Sequence, residues 1–287
     1  MDRVTVVMAT RDRREQVLTT LQHLGTAAAR APVVLVDNAS TDGTPEAVER
    51  HFPHVTVIRA DRNLGAPGRT LGVRRARTPY VAFADDDSWW APGSLERAAD
   101  LFEEHPRLGL LAARILVGPQ EGLDPVCREM AVSPLGTADD LPGPSVLGFV
   151  ACGAIVRRSA YLQVGGFSPI VFFLGEETVL AQDLATAGWG LAYVDDVVAH
   201  HHPGMVPARS GSRARLQTRN ALLSTWLRRP PGVSVRSTAA LLRRAHDPVA
   251  RGALLDAVRR LPGVVVHRRV LPAEVESQVR LLEGVSS

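Results

Sequence analysis

The sequence predicts an α/β fold built on a mostly parallel sheet, and three observations support this. Short β-branched runs alternate with longer segments of helical pattern through the N-terminal part of the chain. A fully apolar run at residues 80–84 is typical of a strand buried on both faces. The composition, 45% hydrophobic in 287 residues, supplies enough apolar surface for a large core.

The N-terminal elements are expected in the order β-α-β-α-β. The strands are predicted at 4–8, 33–36 and 55–59, and the helices at 14–28 and 45–51. Helical segments of this length between strands are typical crossover connections of a parallel sheet. The pattern continues with a helix at 70–77, the strand at 80–84 and a helix at 92–105. Ligands of such sheets bind at the carboxyl ends of the strands, so we look there for a site.

The pattern changes twice in the rest of the chain. Glycine and proline are scattered from 107 to 144, where one strand, 108–116, is predicted. Further strands are expected at 146–156, 190–194 and 197–200, with a helix at 176–187. Beyond Pro203 only helical patterns remain, at 213–227, 237–245, 249–261 and 273–282. We therefore predict an α/β domain over 1–204 and a small helical extension over 205–287.

Composition excludes several protein classes. Two cysteines, Cys127 and Cys152, cannot staple a small disulfide-rich domain. No apolar run approaches the ~20 residues of a membrane-spanning helix. The first predicted strand follows the N-terminus directly, without the pattern of a secretory signal, so we expect a cytoplasmic protein.

Although the net charge is only +3, basic and acidic residues are distributed very unevenly along the chain. Residues 207–271 hold 14 arginines and two acids, Asp247 and Asp256, and the chain has no lysine. Such a stretch can attract nucleic acid, anionic lipid or a phosphorylated ligand, or it can be a set of solvated helix faces. We expect no nucleic-acid partner, and peripheral membrane contact through this tail stays open.

Three consecutive aspartates, Asp85 to Asp87, follow the apolar run at 80–84. Like charges this close repel one another unless a cation or a proton intervenes. In an extended geometry Asp85 and Asp87 point the same way and can address one hard divalent ion. The alternative is a solvated acidic turn or a helix N-cap, and these residues alone leave both open.

Several motifs in one order resemble family 2 glycosyltransferases. They are Val7 to Arg11, Val34 to Thr44, Asn63-Leu64-Gly65 with Arg69 and Gly72, Phe83 to Asp87, Gly175-Glu176-Glu177, and Ala187-Gly188-Trp189. The resemblance covers about residues 4–202. It implies a fold of the GT-A type, Rossmann-like, in which domain 1–204 binds a nucleotide-diphosphate sugar as donor.

The resemblance also implies which residues contact the donor. Thr10 and Arg11 would touch its base or phosphates, with a turn and a solvated arginine as the alternative. Asp37 would accept a hydrogen bond from the base or the ribose, although an Asx-turn is also consistent with its sequence. The other implied contacts are Asn63, Gly65, Arg69 and Asp85.

A divalent metal, Mn²⁺ or Mg²⁺, is implied as well. Asp87 would coordinate it, Asp85 would contact the metal or the ribose, and the bound ion would neutralise charge on the departing diphosphate. Similar enzymes often place a histidine at the end of the strand predicted at 197–200, which indicates His200 as a third ligand. His202 lies on the same face of an extended strand, and a solvated turn is the alternative.

The acidic pair Glu176–Glu177 supplies the implied general base. In similar proteins this pair stands twelve residues before the glycine of an Ala-Gly-aromatic ending, and Glu176 stands twelve residues before Gly188. That register makes Glu177 the base and Glu176 a supporting residue. Without the register, favourable placement of acids at a helix N-terminus would explain the pair. Asp183 is the next candidate for the base.

The expected function is metal-assisted transfer, with inversion, of a sugar from a nucleotide diphosphate to a hydroxyl acceptor. The acceptor would be a glycan, a lipid-linked sugar or a natural product. A nucleotidyltransferase of similar fold is one alternative, disfavoured because no glycine-rich loop or lysine is present to cradle a triphosphate. The other is a non-catalytic nucleotide-sugar-binding scaffold at a membrane surface. The oligomeric state stays open.

Overall fold

The strands form one nine-stranded sheet. The computed structural model describes residues 2–27, 31–204 and 210–285. The strands are β1 Val4–Thr10, β2 Val33–Asp37, β3 Thr56–Arg59, β4 Tyr80–Ala84, β5 Ser88–Trp90, β6 Leu108–Val117, β7 Gly122–Leu123, β8 Ala154–Arg157 and β9 Gly190–His201. Their order is β3-β2-β1-β4-β8-β6-β9-β5, and β7 pairs with β6 outside this path.

Twelve α-helices are present in the described ranges. They are α1 Arg14–Ala27, α2 Thr44–His51, α3 Gly68–Arg75, α4 Ser94–Glu104, α5 Pro125–Ala131, α6 Arg158–Val164, α7 Glu176–Thr186, α8 Ser210–Arg228, α9 Pro231–Arg243, α10 Pro248–Val258, α11 Leu261–His267 and α12 Ala273–Val285. No helix in the described ranges is long and apolar enough to cross a membrane.

The parallel half of the sheet agrees with the sequence prediction. Strands β3, β2, β1 and β4 pair in parallel, with helices α1 to α3 in the connections. The β-branched side chains of β1, β2 and β4 are buried because the helices cover the sheet, while those of the edge strand β3 are partly exposed. Helix α3 lies so close to β1 that a Cβ on Gly72 would be 2.5 Å from Val7 Cγ1. Parallel pairing brings the carboxyl ends of β1, β2 and β4 to one edge.

The other half of the sheet is mixed. Strand β8 is antiparallel to β4 and β6, β6 is parallel to β9, and β5 is antiparallel to β9. The two strands expected at 190–194 and 197–200 are one strand, β9. Residues 195–197 form a bulge between Val194, paired with Ala113, and Val198, paired with Arg114.

Several short elements differ from the prediction. The strand expected at 146–156 is shorter, because a 3-10 helix occupies Ala151–Gly153 and strand β8 begins after it. Helices α5, α6 and α11 have seven residues each, too few to show a helical period in the sequence. The expected end of the first helix, Ala28, lies outside the described residues.

The helices after residue 210 pack on one another and on α7. Helix α8 contributes Leu222, Leu223 and Leu227 to a core shared with α9, α10 and α11. A buried ion pair joins α8 to α7, in which Arg228 donates two hydrogen bonds to Asp183 at 2.5 and 2.7 Å. No strand follows β9 within the described ranges. The boundary at 204 and 205 stays a prediction, since 205–209 lie outside them.

Candidate active site

Hydrogen bonds join the carboxyl ends of β1, β2 and β4. The backbone N–H of Asn38, after β2, donates to the carbonyl of Thr10 at the end of β1 (2.9 Å). The Thr10 hydroxyl donates to Asp86 Oδ2, after β4, at 2.9 Å. Thr10 is therefore buried and already bonded to the protein.

Asp37 keeps one oxygen without a partner. Its Oδ2 accepts a hydrogen bond from the Ser40 N–H at 3.0 Å, as the Asx-turn interpretation expects. Its Oδ1 is buried and has no hydrogen-bond partner in the protein. A buried acceptor of this kind is costly, which makes Asp37 suited to receive an N–H or O–H from a ligand.

Arg11 and the loop at Asn63 lie at the rim of the same edge. Arg11 is exposed and its Nε lies 3.4 Å from Asp12 Oδ2. Asn63 Oδ1 accepts from the Gly65 N–H at 2.9 Å, so its side chain shapes the loop. Gly65 adopts φ +66°, and a Cβ there would lie 2.5 Å from the carbonyl oxygen of Phe172. Only glycine fits this approach.

Arg69 is buried among carboxylates. It lies on α3 with only 5% of its surface exposed, so it is not a solvated surface arginine. Its Nη2 donates to Asp85 Oδ1, and its Nη1 lies 3.8 Å from Glu176 Oε1. The guanidinium also lies 5.7 Å from the centre of the Phe167 ring. It therefore faces the acidic groups after β4 and at the start of α7 together.

The loop before α7 is strained and held from two sides. Phe172, Leu174 and Gly175 all have positive φ, which is unfavourable for the two side-chain-bearing residues. The carbonyl of Phe172 accepts from the Ala66 N–H at 2.8 Å. Asn220 Nδ2, on α8, donates to the carbonyls of Phe173 and Leu174 at 2.5 and 2.6 Å. Helix α8 thus fixes the entry into α7, where the acidic pair begins.

The acidic pair titrates unusually. Burial and the neighbouring charge of Glu177 raise the pKa of Glu176 to about 8, against the opposing charge of Arg69. Burial also raises the pKa of Glu177, and the charge of Asp85 adds to this, so the two acidic groups share one site. Glu176 Oε2 is buried without a partner. Burial and mutual repulsion therefore favour one proton shared by the pair near neutral pH.

The three aspartates meet different partners. Asp85 pairs with Arg69, and its N–H donates to Ser88 Oγ at 2.7 Å. Burial raises the pKa of Asp86 to about 6 despite its hydrogen bond from Thr10, with the charges of Asp87 and Asp85 acting in the same direction. Asp87 Oδ1 lies 3.5 Å from His201 Nε2. The pairing of Asp85 with Arg69 and of Asp87 with His201 thus reduces the repulsion that the sequence predicts.

The three histidines at the end of β9 alternate between opposite faces of the strand and its extension. His200 and His202 share a face, as expected, and both contact the Trp89 ring, with ring centres 5.5 and 4.6 Å away. His200 Nδ1 lies 3.3 Å from Glu121 Oε1, and burial lowers its pKa. The hydrogen bond to Asp87 raises the pKa of His201. Because β9 pairs His201 with Ser88, His201 is brought to Asp87 and His200 is not.

The donor atoms here partly fit a divalent cation. No three His, Cys, Asp or Glu side chains in the described ranges group closely enough to hold a metal by themselves. Asp87 supplies an oxygen and His201 a nitrogen close enough together to bind one cation. Asp85, in contrast, already forms an ion pair with Arg69. Ions such as Mg²⁺ commonly use one or two carboxylates and complete their coordination with substrate phosphates and water.

Two cavities open beside these groups. One of about 270 Å³ lies against Asp86, Asp87 and Trp89. A larger one of about 610 Å³ lies between α7, α8 and α12 and reaches Glu177. Gln182 and Ser224 line the larger cavity, and each has a buried side-chain oxygen without a partner in the protein.

Sequence reasoning missed three residues of this region. Asn220 and Arg228 lie on α8, far along the chain from the motifs, and no local pattern marks them. His201 lies between His200, which the sequence analysis favoured, and His202. The ion pair with Arg228 occupies both oxygens of Asp183, so Asp183 is not suited to be the alternative base.

The model of the family described as "Glycosyl transferase family 2" matches residues 5–165. The chain belongs to this family. The resemblance drawn from the motifs is confirmed, and the chain is a glycosyltransferase of family 2. An N-acetylglucosaminyl-diphospho-decaprenol L-rhamnosyltransferase of Mycobacterium tuberculosis is 30% identical over 254 residues, 75% of this chain and 82% of the relative.

Solved structures support the fold. A mannosyltransferase from Pyrobaculum calidifontis, in complex with GDP-Man and Mn²⁺, aligns with a TM-score of 0.60 at 19% identity, over 99% of this chain and 79% of that one. Residues 1–349 of Staphylococcus aureus TarS, in complex with UDP-GlcNAc, align with a TM-score of 0.61 at 16% identity, over 97% and 84%. The family 2 chain has the expected GT-A fold.

The raised pKa of Glu176 predicts a pH-dependent stability. A carboxyl whose pKa is higher in the folded than in the unfolded state stabilises the fold when protonated, and this is lost as the pH rises through about 8. Wild type should lose melting temperature between pH 7 and 9, and Glu176→Gln should flatten this fall. Thermal unfolding across this range measures it. The control is Glu274→Gln, an exposed glutamate on α12; parallel curves for wild type and Glu176→Gln would contradict the assignment.

Proposed function

We propose that this chain transfers a sugar from a nucleotide diphosphate to a hydroxyl acceptor, with inversion and with help from a divalent cation. One observation carries the proposal. The acidic groups of the expected donor side, at Asp85, and of the expected acceptor side, at Glu176 and Glu177, converge on the single buried guanidinium of Arg69. A transferase needs both sides within reach of one anomeric carbon.

Glu177 is proposed as the general base. Its carboxylate takes the proton of the acceptor hydroxyl as that oxygen forms a bond to the anomeric carbon. The bond from this carbon to the diphosphate breaks at the opposite face, so the configuration inverts. The raised pKa of Glu177 makes it a stronger base than an exposed glutamate. Neutral Glu176 would spare Glu177 a second negative neighbour.

Asp87 and His201 are proposed as the protein's metal ligands, with the donor's phosphates completing the site. When bound, the cation would neutralise charge on the departing diphosphate. Asp85 would stay ion-paired with Arg69 through one carboxylate oxygen and contact the donor through the other. Arg69 is then a positioning residue for the carboxylates, a different role from the donor contact implied by family resemblance. Asp37 Oδ1 would accept from the base or the ribose.

The larger cavity is proposed as the acceptor site. Its wall carries Glu177, so a group bound there lies against the proposed base. The unpartnered oxygens of Gln182 and Ser224 suit hydroxyl or amide groups of a sugar. A lipid-linked sugar is supported by the name of the mycobacterial relative. The cytoplasmic location stays a prediction.

The metal assignment predicts unequal effects of neighbouring histidines. Asp87→Asn and His201→Ala should weaken Mn²⁺-dependent binding of a nucleoside diphosphate by at least about tenfold, because each removes a ligand. His200→Ala is the matched control and should bind almost as wild type, since its ring faces Trp89. Calorimetric titration with UDP, GDP or dTDP, with and without Mn²⁺, measures this.

If the two histidine variants show the reverse order of effects, His200, the metal ligand implied by family resemblance, is correct. If His200→Ala loses the metal dependence while His201→Ala keeps it, His200 is the ligand. A fall in melting temperature of ligand-free His200→Ala would assign that ring a packing role.

The base assignment predicts a kinetic effect confined to the chemical step. Glu177→Gln keeps the shape of the side chain but cannot take a proton, so turnover should fall about 10²- to 10⁴-fold while nucleoside-diphosphate affinity stays unchanged. Glu176→Gln should be milder. Transfer is measured from a nucleoside-diphosphate-rhamnose to a short-chain N-acetylglucosaminyl-diphosphate lipid, the sugar and acceptor classes in the relative's name.

Two results would sink this assignment. If Glu177→Gln keeps more than about a tenth of the turnover while Glu176→Gln is inactive, the register is wrong by one residue. Nucleotide binding without turnover of any donor, in wild type with Mn²⁺, would favour the non-catalytic scaffold.

A further inference from the structure

Exposed apolar side chains are concentrated on α9, α10 and α11 and in the connection after α11. Eleven large apolar side chains are exposed in the described part of the chain, and eight lie between residues 235 and 270. These eight are Val235, Leu242, Leu255, Val258, Leu261, Val265, Val266 and Val270. Val265 and Val266 are exposed by 74% and 78%. Apolar groups clustered in this way mark a contact surface.

Exposed arginines lie among these apolar residues. They are Arg236, Arg243, Arg244, Arg251, Arg259 and Arg269. From 210 to 272 the acids are Asp247 and Asp256, and Asp256 already pairs with Arg215 and Arg259. We call these eight apolar and six basic residues the outer helical face. Its charge is strongly positive.

The outer helical face is the unpartnered side of helices that are otherwise packed. Leu241 of α9, Ala250 and Ala257 of α10 and Val264 of α11 are buried in one core with α8. Their exposed neighbours, such as Leu242 and Val265, therefore point away from that core. One side of each helix is thus packed in the core of the protein, and the side that carries arginines and apolar residues is exposed.

The positive charge and the apolar side chains of the outer helical face together indicate which kind of partner it binds. A second copy of this chain, meeting through the same face, would set arginines against arginines, which is unfavourable. Nucleic acid would pair with the arginines but leave exposed valines and leucines without apolar contact. An anionic bilayer offers both phosphate groups for guanidinium and an acyl boundary for short apolar side chains.

We propose that the outer helical face binds the surface of an anionic lipid bilayer. Its valines and leucines enter the headgroup and acyl boundary, and its arginines pair with lipid phosphates. The inference is independent of the chemistry at Glu177. If the acceptor is lipid-linked, this contact would hold the chain at the surface that carries its substrate.

Vesicle flotation of the full chain tests the proposal. The probes are vesicles of phosphatidylcholine alone and of phosphatidylcholine mixed with phosphatidylglycerol. Wild type should float with the mixed vesicles only, and added salt should weaken binding. Each arginine removed should weaken binding about fivefold, so Arg243→Gln/Arg244→Gln should lose at least about tenfold. Val265→Asp/Val266→Asp should lose a comparable factor.

The matched control is Val132→Asp, since Val132 is 79% exposed but lies on the α/β domain. It should bind vesicles as wild type does. Equal binding of wild type to both vesicle types, or unchanged binding of both double variants, would overturn the proposal. So would a dimer in sedimentation that Val265→Asp/Val266→Asp dissociates. These variants should keep the melting temperature and the Mn²⁺-dependent nucleotide binding of wild type. A failure of the membrane proposal can then be distinguished from a failure of the proposed transfer reaction.

Discussion

A buried positive charge, the guanidinium of Arg69, is the constraint on which the site depends. Carboxylates gather at this edge because parallel pairing brings strand ends together, and without a counter-charge their repulsion and desolvation would oppose folding. Arg69 bonds to Asp85 and lies 3.8 Å from Glu176. Burial also raises the pKa values of Glu176 and Asp86, to about 8 and about 6, so these two carboxyls lose negative charge first as the pH falls.

The C-terminal helices are part of this arrangement. Asn220 holds the strained carbonyls before α7, and Arg228 binds Asp183 within α7, so α8 fixes the helix that presents the acidic pair. Helices α8 and α12 line the larger cavity, whereas α9, α10 and α11 carry most of the outer helical face. Different helices of the extension thus support two different proposals, acceptor binding and membrane contact.

The sequence predicted the strands with strong periodicity and the residues that follow them. Asp37 and Asp85 could be placed in one site because parallel strand ends meet. The buried state of Arg69 could not be predicted, since α3 also carries Arg74 and Arg75, which are exposed. The choice among three histidines depends on the register of β9 against β5, which a bulge at 195–197 precedes. Asn220 acts across 46 residues, beyond any local pattern.

The most direct test of this account is the stability of Arg69→Met, which keeps the apolar stem and removes the charge. Chemical unfolding at several pH values from 6 to 9 measures it, with Arg74→Met, an exposed arginine of the same helix, as the matched control. Arg69→Met should lose about 3–5 kcal/mol of unfolding free energy, because it leaves buried carboxylates without a partner. The loss should grow as the pH rises and those carboxyls ionise. An Arg69→Met protein as stable as the control at every pH would contradict the account.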